Sequence, residues 1–241
     1  YSYITQIGTG NYNEKTSELY TDYSFITADE RIGEEASKVF RNLAVQQLTE
    51  ESDRMLVAPL RFKSVLLDEM DHVIAAARMG RPASMILKNN SISDRDLILK
   101  LSEASCVGVP VKMIIRGICC ILPGVPGETE NIRVISIVGR YLEHSRIYWF
   151  HANGEDIMYI GSADLMPRNL DHRIEVLTPI LDPELRRKIR EDILEVHLAD
   201  NVQTWQLQAD ATYTRLKPSS KETAVNAQER MIAQHISRDD I

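Results

Sequence analysis

From Met55 onward, short apolar runs alternate with segments whose apolar residues recur at helical spacing, and that alternation restricts the chain to a sheet with helices packed on it. Met55 to Pro59 reads as a strand, and Leu66, Met70, Val73, Ile74 and Ala77 form the face of a helix ending at Gly80. Met85 to Lys88 is again strand. Asp94 to Ser105 reads as a helix with Ser93 as its N-cap, and Gly108-Val109-Pro110 turns into the strand Val111 to Ile115. Strands are expected at Asn131 to Ile137, Ile147 to Phe150, Met158 to Ile160 and Glu175 to Pro179. A helix is expected over Pro183 to Leu198, with Asp182 capping before Pro183. The class is α/β, a mixed β-sheet flanked by helices.

The first part of the chain has a different texture. Tyr1 to Ile7 reads as a strand, Gly8 to Asn13 as a tight loop and Leu19 to Thr27 as a second extended stretch. Ile32, Ala36, Val39, Phe40 and Leu43 then mark an amphipathic helix that runs out near Gln46. The acidic stretch Thr49 to Asp53 is the expected boundary, dividing residues 1–54 from residues 55–241. Opening on a β-prone segment rather than on Met, the chain has the look of a domain cut open. At the other end, Pro218 to Ile241 lacks aromatics and has weak periodicity, so a frayed helix and a disordered tail are both open.

A formal charge of −7 argues against general binding of nucleic acid, which draws its affinity from surplus Lys and Arg. Any polyanion must meet a local basic pocket. Cys106, Cys119 and Cys120 give neither a disulfide framework nor zinc-ligand spacing, and read as reduced thiols of a cytoplasmic protein. No apolar run in these residues is long enough to span a bilayer, and they show no pattern of basic end, apolar stretch and small-residue cleavage site.

Two segments echo each other. Ile7-Gly8-Thr9-Gly10-Asn11 is matched by Ile160-Gly161-Ser162-Ala163-Asp164, each following a β-prone run. Glycine lets backbone N–H groups approach a phosphate, and the hydroxyl and amide or carboxyl side chains add hydrogen bonds. Shortly before the second loop stands His144-Ser145-Arg146, expected on a strand, where alternation would aim His144 and Arg146 at one phosphate from the same face.

This arrangement resembles the phospholipase D superfamily, marked by His-x-Lys followed after a hairpin by Gly-Ser-x-Asn, used twice in one active site. Arg146 stands where that pattern has Lys, and Asp164 where it has Asn. The longer words IGTGNYNEKT, LYTDY, RYLEHSR and SADLMPRNLDHRIE are similar to the C-terminal half of polyphosphate kinase, and the resemblance runs from Tyr1 to about Leu198. It implies a phospholipase D-like fold, the first 54 residues being the tail of one such domain and Met55 onward the second. It further implies an ATP:polyphosphate phosphotransferase whose phosphohistidine lies upstream, leaving this fragment inactive alone. ATP or ADP and inorganic polyphosphate are the implied partners, with Mg²⁺ accompanying the nucleotide. The missing upstream domains and further copies in a homo-oligomer are implied too, in the cytoplasm, including the inner face of the membrane.

By motif, Tyr20 corresponds to the tyrosine near the base, Arg116 to an arginine gripping the nucleotide phosphates and His144 to the second essential histidine. An imidazole can donate a proton or stabilise charge near neutral pH, which suits His144 for either role. Arg146 and Arg173 are expected on phosphate, with Glu175 on the same strand face as Arg173 and tethering a basic partner. Gly8, Thr9, Asn11, Gly161, Ser162 and Asp164 support from the two loops, and Asp22 is a candidate to help hold Mg²⁺. Glu143, facing away from its neighbour, is a weaker candidate for orienting His144. His72, His151, His172, His197 and His235 read as surface or structural. Two other functions compete: a phosphodiesterase or phosphatidyltransferase of the wider superfamily, and a non-catalytic module that binds polyphosphate or ATP and assembles with its own kind.

Overall fold

The computed structural model describes residues 2–48, 52 and 54–239, with side chains as far as residue 234. Tyr1, most of the expected boundary at Thr49 to Asp53, the side chain of His235 and the last two residues lie outside that description.

The centre is a nine-stranded mixed sheet. Along the chain come β1 (Thr5–Gly8), α1 (Glu14–Ser17), β2 (Tyr20–Thr21), β3 (Ser24–Thr27), α2 (Glu30–Ala44), β4 (Leu56–Val57), α3 (Phe62–Arg78) and β5 (Ala83–Asn89). Then follow α4 (Arg95–Cys106), β6 (Val111–Ile115), β7 (Ile132–Ile137), β8 (Leu142–Glu143), β9 (Arg146–Ala152), β10 (Glu155–Gly161), α5 (Pro167–His172) and β11 (Val176–Pro179). The last elements are α6 (Pro183–Lys188), a π-helical insert (Ile189–Leu194), α7 (Glu195–Leu198), β12 (Thr204–Leu207), β13 (Tyr213–Arg215) and α8 (Ala227–Asp239).

The strands lie in the order β13-β12-β7-β6-β5-β9-β10-β11-β4, with β5, β6 and β7 parallel and the other pairings antiparallel. The central strands are apolar without alternation because both faces are covered. On one face Leu87, Met113 and Tyr148 pack against Leu66 and Met70 of α3 and Leu97 and Leu101 of α4. On the other, Ile86, Ile114 and Ile147 meet Leu194, Leu198 and the aromatic pair Tyr23 and Phe25 from the first part of the chain. The hairpin β9–β10 turns on Asn153 and Gly154, whose φ values of 54° and 86° fit the tight two-residue turn that Asn-Gly favours.

Several local expectations change. The cap of α4 is Asp94, whose carboxylate accepts from Asp96 N and Leu97 N, because the helix starts one residue later than Ser93 would allow. The stretch Leu19 to Thr27 divides in two: β3 pairs antiparallel with β1, while β2 pairs in parallel with β8, far along the chain. The segment after Pro218 ends in α8, whose start is buried and anchored by Ala227 N donating to Asp200 Oδ2 at 2.7 Å.

Candidate active site

The carboxyl ends of parallel strands collect ligands in open α/β sheets, because the chain turns away there and leaves a crevice. Here β5 ends beside Asn89 and Asn90, and β6 delivers Arg116. Into this end come His144 and Arg146 from the start of β9, Asp164 from the loop after β10, and Thr9, Tyr20 and Asp22 from the first part of the chain.

His144 does not lie on a strand. Since β8 pairs with β2 and β9 with β5 and β10, the chain changes sheets across His144 and Ser145. Imidazole and guanidinium therefore meet around a bend, where strand alternation was expected to align them. His144 is 8% exposed, and its Nδ1 lies 3.0 Å from both carboxylate oxygens of Asp22. That pairing assigns a proton to Nδ1; Arg146 Nη1 lies 3.2 Å from each ring nitrogen, and among the described residues no carboxylate holds Nε2. Tyr20 leans on the imidazole with ring centroids 4.7 Å apart.

Arg146 is clasped by the protein. Its Nε and Nη2 meet Asp164 Oδ1 and Oδ2 at 3.1 and 3.2 Å, a bidentate pair, and Nη1 donates to the carbonyls of His144 at 2.7 Å and Thr9 at 3.0 Å. What it offers a phosphate is its charge and one remaining Nη2 hydrogen. Arg116 is built differently. Its Nε donates to Asn90 Oδ1 at 2.6 Å, and among the described residues neither Nη group has a partner. Burial pulls this guanidinium below its ordinary value, Asp164 pushes the other way, and Arg146 adds to the fall. Arg116 is thus a half-buried cation with a free fork, close enough to Asp164, Arg146, Tyr20 and Asp22 to feel their charge and suited to bidentate contact with an oxyanion.

The echo between the two loops is structural. Thr9 Oγ1 donates to Asp22 Oδ1 at 2.8 Å and accepts from Tyr23 N at 2.9 Å, while Thr9 N donates to Tyr23 O at 3.0 Å. Ser162 Oγ donates to Glu175 Oε2 and accepts from Val176 N at 3.3 Å, while Ser162 N donates to Val176 O at 3.1 Å. The pairs Ile7 and Ile160, Thr9 and Ser162, Asp22 and Glu175 all stand at one constant offset. A search for the echo beyond its first five residues would have found the Asp22–Glu175 match. At the fifth position of the echo the likeness fails, for Asn11 is exposed with no contact to the site while Asp164 holds Arg146. Gly161 is dictated by packing, as a Cβ there would run into the Val176 carbonyl and Leu177. Gly10 leaves room for the Asp22 carboxylate, and Gly8 borders the Tyr12 hydroxyl.

Glu175 and Arg173 do not share a strand face. Arg173 ends α5 and Glu175 precedes β11, so both lie in the connection between them. Glu175 accepts from Ser162 and, at 3.0 Å, from Asn169, while Arg173 is half exposed with Nη1 4.0 Å from Glu175. No contact joins Arg173 to His144 or Arg116. Among the described residues, no histidine bonds Glu175.

Glu143 corrects another expectation. It touches neither His144 nor solvent but accepts from Thr21, His197 and Gln228, and pairs with Lys88. Lys88 and Gln228 were not singled out in the sequence; a lysine directly after the apolar run Met85 to Leu87 was the available signal. His197 is structural, as expected, and fully buried.

Mg²⁺ prefers oxygen ligands, commonly one or two carboxylates plus substrate phosphates. No group of three or more His, Cys, Asp or Glu that could hold a metal occurs among the described residues, and both oxygens of Asp22 are engaged by His144. The described residues do not form a metal site of their own. A groove of about 1170 Å³ runs from Tyr20, Thr21 and Asp22 past Tyr23, Ile189 and Met231, and neither His144 nor Arg116 lines it.

Comparison with known proteins gives consistent matches. The family described as "Polyphosphate kinase C-terminal domain 2" matches residues 55–228, and "Polyphosphate kinase C-terminal domain 1" matches residues 1–49. Polyphosphate kinase of Staphylococcus saprophyticus is 48% identical over 195 residues, 81% of this chain and 27% of that protein. The one from Thermosynechococcus vestitus is 47% identical over 216 residues, 90% of this chain and 29% of that protein. The crystal structure of polyphosphate kinase from Porphyromonas gingivalis superposes with a TM-score of 0.93 at 36% identity, covering 99% of this chain and 36% of that one. The chain spans about a third of the length of the curated relatives it matches. No helix among the described residues is long and apolar enough to cross a membrane.

Proposed function

The chain belongs to the polyphosphate kinase family, and from that membership we propose that it supplies one half of an ATP:polyphosphate phosphotransferase centre. The observation that carries the reading is the pairing of a histidine fixed by Asp22 with an arginine whose Nη groups are free, at the carboxyl ends of parallel strands. Residues 1–54 act as the tail of one phospholipase D-like domain and residues 55–241 as the second, a division supported by where the two family matches fall.

In the forward direction a histidine upstream attacks the γ-phosphorus of ATP. The bond to the β–γ bridging oxygen breaks, a P–N bond forms and ADP leaves. A terminal oxygen of polyphosphate then attacks that phosphorus and the P–N bond breaks, and both steps run in reverse. Such transfers need chiefly positioning and neutralised charge. Arg116 grips the phosphates, Arg146 adds positive potential, and Tyr20 stands where the base would lie. With both ring nitrogens protonated and Nδ1–H held by Asp22, His144 donates a proton to, or stabilises charge on, the phosphoryl group through Nε2. Glu175, the counterpart of Asp22, orients the upstream histidine in the way Asp22 orients His144. Mg²⁺ enters with ATP, held by its phosphates. The protein assembles from further copies and works in the cytoplasm, and the chain alone transfers no phosphate.

Calorimetric titration of ATP with Mg²⁺, and separately of long-chain polyphosphate, into the 241-residue chain tests this reading. ATP binding that weakens about tenfold or more in Arg116→Ala is expected, since a charge-assisted bond to phosphate contributes about 1.5–3 kcal/mol. Binding unchanged by Arg116→Ala, or no binding of either ligand to a folded chain, would remove its support.

A further inference from the structure

Lys88 is a charged side chain only 1% exposed, next to last in β5 after the apolar run Met85 to Leu87, where a methionine or leucine would pack at less cost. Its ammonium has three hydrogens and three acceptors: Ser145 Oγ at 2.7 Å, Ser145 O at 3.3 Å and Glu143 Oε2 at 3.1 Å. Those acceptors belong to the residues immediately before and after His144. One buried cation therefore grips both chain neighbours of the histidine without touching its ring.

The grip is extended behind the site. Glu143 also accepts from His197 Nε2 at 3.0 Å, Thr21 Oγ1 at 3.0 Å and Gln228 Nε2 at 2.7 Å. His197 is tied in turn to Ile193 O at 2.7 Å, through its Nδ1. Gln228 holds Tyr141 at both ends, accepting from its N–H at 3.0 Å and donating to its carbonyl at 2.9 Å. It fits there because Gly139 has no Cβ to meet it. The bend that carries His144 off β8 and onto β9 is thus strapped from beneath, while Arg146 holds the His144 carbonyl from the site side.

We propose that Lys88 is a positioning residue for His144, and that Glu143, His197 and Gln228 extend its hold to α7 and α8. At the bend the His144 backbone is held to the β2 side by one long bond, His144 N to Thr21 O at 3.3 Å, so the imidazole would swing relative to Asp22 unless its neighbours were tied. A tetrahedral set of three donors does this where an apolar side chain cannot. None of these four residues contacts the ligand side of His144. They act on where it stands. The proposal rests on the reading of His144 as a phosphoryl-transfer residue only for its consequence, and its geometry can be tested separately.

The test follows the Nδ1 proton of His144 by long-range ¹H–¹⁵N spectroscopy in the 241-residue chain, the signal being assigned by its loss in His144→Gln. Variants are Ser145→Ala, Lys88→Met, and Lys88→Met with Glu143→Gln, which leaves no unpaired carboxylate. Leu101→Ala, in the core on α4, is the control for lowered stability alone. Exchange of that proton with water should accelerate about tenfold or more in the Lys88 variants and by less in Ser145→Ala, but not in Leu101→Ala. Exchange unchanged in a folded Lys88→Met, or accelerated as much in Leu101→Ala, would overturn the proposal. If the Lys88 variants do not fold, Ser145→Ala decides by the same criterion. Loss of ATP binding by the wild-type chain would instead count against the phosphotransferase reading and leave this result standing.

Discussion

The corner made by Thr9 and Asp22 and the corner made by Ser162 and Glu175 share the same three hydrogen bonds, yet only the first holds a histidine. Asp22 is completed from a distant part of the chain by His144, whereas Glu175 is bonded to Ser162 and Asn169. The comparison teaches what kind of object the second corner is. A carboxylate built into the same frame as one that orients an imidazole has the form of a socket, and the proposed upstream histidine is the group that would fill it. The surroundings differ as well: behind the first corner lies the buried cluster of Lys88, Glu143 and His197, which fixes the histidine that the corner receives.

The largest effect should come from breaking the first corner at its carboxylate. In Asp22→Asn the Oδ1 can keep the Thr9 bond while the amide presents hydrogens to Nδ1, forcing the imidazole into the wrong tautomer. Turnover of a longer polyphosphate kinase carrying this chain in place of its own C-terminal region should fall about 100-fold or more, the scale of losing general acid–base function. A loss under about threefold would mean that Asp22 does not set the tautomer.

Next in size is the cluster that sets the corners apart. Lys88→Met strands a buried carboxylate, and urea unfolding should show a loss of about 3–5 kcal/mol. Glu143→Gln sharpens the point through pH. Burial raises the Glu143 carboxyl, but the Lys88 charge and the bonds from His197 and Gln228 overcome that and hold it well below the usual range. With the folded value below the unfolded one, the stabilisation is complete above the unfolded value of about 4.3 and is lost as pH falls through the folded value. Between about pH 5 and acid unfolding, the wild type should lose stability more steeply than Glu143→Gln. Parallel acid limbs would contradict this.

Smaller effects should separate the hydroxyls. Thr9→Ala and Ser162→Ala each delete one bond to a carboxylate, costing about 1–3 kcal/mol in chemical unfolding. Only Thr9→Ala should also disturb the His144 signals, because only that corner is occupied. The smallest effect belongs to Asn11→Ala, within about 0.5 kcal/mol and without change in ATP affinity, since Asn11 is exposed where its counterpart Asp164 holds Arg146.

Much of this was legible in the residues because it is local. The apolar runs placed the central strands, Asp182 and Pro183 announced the start of α6, and the repeated Gly-hydroxyl words marked both corners. What escaped depends on long-range pairing. Periodicity reports neighbours along the chain, so it put His144 and Arg146 on one strand when β2 had drawn Leu142 and Glu143 into a separate sheet. The tail after Pro218 was ambiguous because, as far as residue 234, the buried part of α8 amounts to little more than Ala227 and Gln228, too short a stretch to show a period. Lys88 was hidden by its strand, and its role appears only once Glu143 and Ser145 are brought to it.

The most direct test of the half-centre is ATP-dependent polyphosphate synthesis by the same hybrid enzyme, with and without Glu175→Gln, beside the isolated chain. The account predicts that the isolated chain is inactive, that the hybrid is active, and that Glu175→Gln lowers the hybrid's turnover about 100-fold while ATP still binds the isolated variant chain normally. An isolated chain as active as the hybrid, or a Glu175→Gln hybrid working at the unmodified rate, would contradict it.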